Sequence, residues 1–133
     1  MQIKNTSLTG IGNTPLVKLN TIVPKNSAEV WIKLERANPT GSYKDRMAVS
    51  VLGKAMDRGD INHGDTVVEY TGGSTGTSLA FVSTVLALKF VAVFSDAFSK
   101  SKQQSMEAFG AKVIVEKSET GAITPDLIKR MRD

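Results

Sequence analysis

A chain of 133 residues is long enough to bury a core of its own within one domain. Its 41% hydrophobic and 23% charged residues make an ordinary soluble composition. The net charge of +4 is spread along the chain, and the absence of cysteine excludes a disulfide frame and a thiol metal site.

The first stretch, Met1 to Gly10, is polar and lacks the apolar core of a signal peptide, so the cytoplasm is the expected compartment. Leu16 to Leu19 alternates apolar and basic residues and reads as a short strand, suited to a sheet edge. Pro24-Lys25-Asn26-Ser27 is a turn, and Val30 to Leu34 a second strand. Asn38-Pro39-Thr40-Gly41-Ser42-Tyr43-Lys44-Asp45-Arg46 is a tight turn that runs into a helix. From Asp45 onward, Met47, Ala48, Val51, Leu52, Ala55 and Met56 mark its apolar face, and Gly59 stands where a glycine would stop it. His63, the lone histidine, lies beside Gly64 in loop material; it reads as solvated, and no metal site is expected around it. Thr66 to Tyr70 is a strand, Thr71 to Ser74 a glycine loop, and Thr75 to Leu88 a helix apolar on most faces, hence buried.

Phe90 to Phe94 is a continuous apolar strand of the kind a parallel sheet requires. The apolar stretch Leu86 to Phe94 is broken by Lys89 and is too short to span a membrane. Ser99 to Phe109 is a polar helix closed by Gly110, and Lys112 to Val115 a further strand. Thr124 caps a last helix with Pro125 at its first position. The basic cluster Lys129-Arg130-Met131-Arg132 reads as a solvated face of that helix, so no nucleic-acid partner is expected. Strands and helices alternate from Val30 on, which predicts a three-layer α/β domain with a parallel sheet and flanking helices.

Two stretches carry chemistry. Lys44 is held at a helix N-terminus just past a rigid turn. The positive end of the helix and Arg46 both disfavour an ammonium there and favour the neutral amine that Schiff-base chemistry needs. A solvated lysine in the first turn of a surface helix is the other reading of the same residues. Thr71-Gly72-Gly73-Ser74-Thr75-Gly76 joins a strand to a helix N-terminus, where converging backbone N–H groups suit a phosphate or a carboxylate. No lysine follows the glycines and the Gly-x-Gly-x-x-Gly spacing is absent, so a nucleotide site is poorly supported. A plain strand-to-helix turn with Ser74 as N-cap is the alternative.

The lysine motif resembles that of the cysteine synthase family, fold-type II enzymes that use pyridoxal 5′-phosphate. Ile11-Gly12-Asn13-Thr14-Pro15-Leu16, Glu69-Tyr70-Thr71-Gly72-Gly73-Ser74-Thr75-Gly76 and Phe109-Gly110-Ala111 fit the same family in the same order. The resemblance implies that Lys44 holds the cofactor and acts as the general base. It implies that Thr71, Gly72, Gly73, Thr75 and Gly76 grip the substrate carboxylate, with Ser74 beside the cofactor where the family usually has an asparagine. A serine is common in the family at the position of Gly72. These two departures bear on the exact substrate more than on the cofactor. The implied activity is β-replacement on an O-activated serine to make cysteine, with a serine or threonine ammonia-lyase, a cystathionine β-synthase-like enzyme or a truncated non-catalytic fragment as alternatives. Residues 1–35 are expected to be an arm of a larger domain, and residues 36–133 the small α/β domain, cut short at its C-terminal end. On this reading the chain is the N-terminal part of the enzyme and is inactive alone. The apolar residues of its arm, Leu16, Val17, Leu19, Val30, Trp31 and Ile32, are expected to pack on the small sheet or to drive assembly into a dimer or higher oligomer.

Overall fold

Two antiparallel strands open the computed structural model, which describes residues 6–133; Met1 to Asn5 of the polar N-terminus lie outside the described residues. They are β1 (Leu16–Lys18) and β2 (Trp31–Lys33), with Val17 opposite Ile32. Both are shorter than predicted, although Leu19 N–H still donates to the Val30 carbonyl and Leu34 N–H to that of Pro15. Asn26, at φ 72°, turns the loop between them.

The parallel sheet has three strands, β3 (Thr66–Tyr70), β4 (Lys89–Ser95) and β5 (Lys112–Glu116), with β4 central. Val68 pairs with Val91, and Val93 with Ile114. Helices α1 (Lys44–Arg58), α2 (Ser74–Val85) and α3 (Lys100–Ala108) pack around one face, and α4 (Pro125–Arg132) touches all three strands. The predicted α/β class and parallel sheet are therefore observed.

The core lies between α2 and the face of β4 that carries Phe90, Ala92 and Phe94. Ala48 and Leu52 from α1, Leu79, Ala80 and Val82 from α2, and Met106 from α3 complete it. Leu8, from the short turn Ser7–Gly10, is also buried in this cluster. The predicted apolar face of α1 is thus buried at Ala48 and Leu52, while Val51 is exposed. Gly59 ends the helix at φ 75°, a conformation that disfavours any side chain, and its N–H reaches the Ala55 and Met56 carbonyls. Thr124 caps α4 through its hydroxyl, with Pro125 first in the helix, as predicted.

The strand Phe90 to Phe94 lies in the parallel sheet as expected, with one face better covered than the other: Phe90, Ala92 and Phe94 are buried, whereas Val91 and Val93 are only partly so. The second face of the sheet has α4 alone over it, through buried Leu127 and Met131, and leaves Val68, Tyr70 and Ile114 exposed. Of the two outcomes expected for the arm, packing on the small sheet is not the one observed: Leu16 is 59% exposed and Trp31 49%, and the two strands pair with each other.

Candidate functional site

Lys44 is the first residue of α1, and the amides around it are satisfied locally. Its own N–H donates to Ser42 Oγ at 3.1 Å, Asp45 N–H to the Ser42 carbonyl and Arg46 N–H to that of Tyr43. Gly41, at φ 77°, makes the bend that precedes them. The half-buried Lys44 side chain lies over the Tyr43 ring, with Nζ 4.5 Å from its centroid, and makes no hydrogen bond or ion pair among the described residues.

The turn is braced from two sides. On one side, Arg46 Nε and Nη2 donate to the two Glu35 carboxylate oxygens at 2.8 and 2.9 Å, and Thr14 Oγ1 donates to the same carboxylate at 2.6 Å. Asn38 Nδ2 donates to the Glu35 carbonyl and carboxylate, and Asn38 Oδ1 accepts the Gly12 N–H at 2.9 Å. The Gly12-Asn13-Thr14 stretch is therefore a strut for the lysine turn. The Arg46 guanidinium and the Thr14 hydroxyl hold the Glu35 carboxyl down at about 2. On the other side stands Asp45, whose carboxylate is fully buried and accepts from Thr40 N–H, Thr40 Oγ1 and Ser78 Oγ.

These contacts correct the electrostatic part of the sequence argument. The charge of Arg46 is paired with Glu35, and a carboxylate in the first turn offsets the positive helix end. What the structure gives Lys44 is fixed geometry and an uncommitted amine.

The glycine loop differs from the lysine turn. Thr71 is buried, and its hydroxyl accepts the Gly76 N–H at 3.0 Å. The backbone N–H groups of Gly72, Gly73, Ser74 and Thr75 have no acceptor among the described residues. The N-cap of α2 is Gly73, without any side-chain cap, and Ser74 is the first helical residue. Ser74 thus does not cap the helix, as the plain-turn reading required. An open row of four amides at a helix N-terminus suits an anion.

Sterics set two of the glycines. A Cβ at Gly76 would stand 2.4 Å from Thr71 Cγ2 and 2.5 Å from Met106 Sδ. A Cβ at Gly72 would stand 2.2–2.4 Å from three ring carbons of Phe98. Phe98 follows β4, packs on Phe94 at 5.5 Å between centroids and fills the space a residue-72 side chain would need. Asp45, Ser78 and Phe98 were not singled out from sequence. Each acts through a partner 26 or more positions away, which no local pattern displays.

His63 is exposed, as expected, with Nδ1 2.8 Å from the Leu86 carbonyl. A groove of about 390 Å³ lies between α4 and the ends of β3 and β4, lined by Val68, Tyr70, Val93 and Met131 among others. None of the candidate residues lines it.

Residues 7–129 match the family model described as pyridoxal-phosphate dependent enzyme. The chain belongs to this family. Pyridoxal 5′-phosphate is the family's cofactor, and an uncommitted lysine amine and a row of open amides, on two helices that pack together, fit that group. Cysteine synthase B of Salmonella typhimurium is 42% identical over 117 residues, covering 88% of this chain and 39% of that protein. The crystal structure of O-ureido-L-serine synthase superposes with a TM-score of 0.83 at 38% identity, over 93% of this chain and 39% of that one. The O-acetylserine dependent cystathionine beta-synthase from Helicobacter pylori gives a TM-score of 0.80 at 37% identity, over 99% of this chain and 43% of that one. The chain therefore spans about two fifths of the length of the relatives it matches. No helix among the described residues is long and apolar enough to cross a membrane.

Proposed function

We propose that this chain supplies the cofactor lysine and the substrate loop of a pyridoxal 5′-phosphate enzyme that carries out β-replacement on an O-activated serine to make cysteine. The observation that carries this reading is that an uncommitted Lys44 amine and the open amides of Gly72 to Thr75 stand on two helices tied together by Asp45 and Ser78. Lys44 Nζ is the attachment point for the cofactor and afterwards takes the substrate's α-proton. Thr71, Gly72, Gly73, Thr75 and Gly76 hold the substrate carboxylate, which the helix end favours. Ser74, the first residue of α2, would help hold the cofactor. Bound pyridoxal 5′-phosphate supplies the electron sink for loss of the β-substituent. Residues 1–35 serve as an arm of a larger domain, and residues 36–133 as the small domain. The enzyme works in the cytoplasm on a small amino-acid substrate, as a homodimer or higher oligomer.

A second reading keeps the same chemistry and changes the nucleophile. The Helicobacter pylori neighbour is named for cystathionine synthesis from O-acetylserine. This favours a thiol larger than sulfide as the alternative.

The test is reduction with borohydride after incubation with pyridoxal 5′-phosphate, followed by peptide mapping. A pyridoxyl label on Lys44 is expected; a label on Lys33 or Lys54 instead would overturn the assignment. Thr75→Val is expected to weaken amino-acid binding while leaving the Lys44 label in place.

A further inference from the structure

Asp45 directly follows the candidate lysine, yet its side chain turns inward and is fully buried. No lysine, arginine or histidine among the described residues pairs with it. A buried carboxylate without a counter-ion depends on its hydrogen bonds, and bonds to an ionised acceptor are the strong ones. Three donors serve it. Thr40 N–H reaches Oδ2 at 2.9 Å, and the Thr40 and Ser78 hydroxyls reach Oδ1 at 2.5 and 2.6 Å. The two hydroxyl oxygens are 3.3 Å apart.

The positions of these donors give the cluster its meaning. Thr40 belongs to the turn that fixes Lys44. Ser78 is one turn into α2, four residues after Ser74, and is itself fully buried. One carboxylate thus bonds the lysine turn to the helix that begins at the glycine loop, across 33 residues of sequence. Around it, α1 and α2 pack together and contribute small and aliphatic residues to the core, Ala48 and Leu52 from α1 and Leu79 and Ala80 from α2, whose contacts are non-directional.

We propose that Asp45 and Ser78 are positioning residues. Their hydrogen bond sets the register between the Lys44 turn and the glycine loop, so the amine and the loop amides face one ligand at a fixed separation. This rests on the reading of Lys44 and the loop given above. Neither residue touches the substrate; both act through Thr40 and the two helix ends.

The experiment uses the full chain carrying Ser78→Ala and, separately, Asp45→Asn. The asparagine keeps a carbonyl for the Thr40 amide and an NH2 group for the two hydroxyls, so it preserves the tie without the charge. Amide exchange is followed by mass spectrometry over residues 38–44, residues 71–78 and β4. Labelling by pyridoxal 5′-phosphate and borohydride is followed at Lys44 relative to Lys54, which lies on the same helix. For Ser78→Ala, exchange over 38–44 is expected to rise about tenfold, as loss of one charge-assisted hydrogen bond implies, with β4 unchanged. The Lys44-to-Lys54 labelling ratio is expected to change by about threefold or more. Asp45→Asn is expected to stay closer to the unmodified chain on both readouts. General loss of stability would raise exchange in β4 together with 38–44 and leave the labelling ratio unmoved, and that result overturns the proposal. Unchanged exchange over 38–44 also overturns it. Labelling confined to another lysine, with 38–44 still loosened, removes the functional reading of Lys44 and leaves the tie itself standing.

Discussion

Gly72→Ser replaces a residue of the glycine loop with the one that the family resemblance leads one to expect there, and the structure gives the consequence a size. Gly72 does not have a positive φ, so its backbone accepts an L side chain without strain. The whole effect must come from the new Cβ, which would lie 2.2 Å from Phe98 Cε1, 2.3 Å from Cζ and 2.4 Å from Cδ1. The atoms it meets belong to a side chain and not to backbone, so it is the ring that has to leave. Phe98 is about half-buried, and full burial of such a side chain is worth roughly 1.5–3 kcal/mol, so its departure costs about 1–1.5 kcal/mol. Loss of the tilted pair with Phe94 adds about 0.5–1.5 kcal/mol. The expected destabilisation is therefore about 1.5–3 kcal/mol, within the usual range for overpacking. In a domain of this size that lowers Tm by roughly 5–10 °C. Urea denaturation monitored by circular dichroism measures it. Phe98→Ala should cost a similar amount, and Gly72→Ser with Phe98→Ala should cost no more than Phe98→Ala alone, because the second change acts on a ring already absent. Equal stability of Gly72→Ser and the unmodified chain, or full additivity in the double variant, would refute the steric argument.

Other outcomes are as specific. Gly76→Ala should destabilise more, by about 3 kcal/mol, since its Cβ meets Thr71 and Met106 in a fully buried place; urea midpoints check this. The Arg46 guanidinium and the Thr14 hydroxyl hold Glu35 at about 2, below its ordinary 4.5. Its contribution is therefore complete above about 4.5 and is lost as pH falls toward 2. Glu35→Gln should flatten that acid limb, as urea midpoints at intervals between pH 2 and pH 6 would show. The hairpin of β1 and β2 exposes Leu16, Val17, Ile22, Trp31 and Ile32, so the chain at micromolar concentration is expected to sediment above its 14.3 kDa monomer mass. Trp31→Glu should return it toward monomer, and an unmodified chain that sediments as a monomer would refute this.

Much of the fold was legible because it is written locally. The period of α1, the glycine after it, the Thr124-Pro125 start of α4 and the limits of β3 each depend on residues within a few positions. The errors occur where no residue type announces the local geometry, or where a distant residue decides. The predicted helix Thr75 to Leu88 stops at Val85 because Ala87 takes φ 53° and Leu88 N–H turns back to the Ser83 carbonyl. Leu86 and Leu88 stay buried past the turn, so the apolar pattern continues where the helix does not, and no glycine marks the stop. Arg46 reads as added positive charge until Glu35, 11 residues away, is seen to hold it. The candidate lysine and glycine loop were visible as motifs, but the buried Asp45 looks in sequence like any acidic residue of a helix's first turn.

The arrangement follows from where the chain leaves the sheet. In open parallel sheets ligands bind beyond the carboxyl ends of the strands. The glycine loop starts there, directly after Tyr70 at the end of β3, and Phe98 reaches over Gly72 from the segment that follows the end of β4. Lys44 has no such origin, because the turn before α1 does not follow a strand of the parallel sheet. Something other than strand order must therefore set where its turn stands relative to the glycine loop. Apolar packing of α1 on α2 fixes how close the helices lie but permits sliding, since aliphatic contacts carry little direction. The Asp45 carboxylate removes that freedom, because hydrogen bonds to Thr40 and Ser78 exist only when one particular turn of α1 faces one particular turn of α2. Three hydrogen bonds to one buried carboxylate can thus be decisive for the site, by selecting a single register for the lysine.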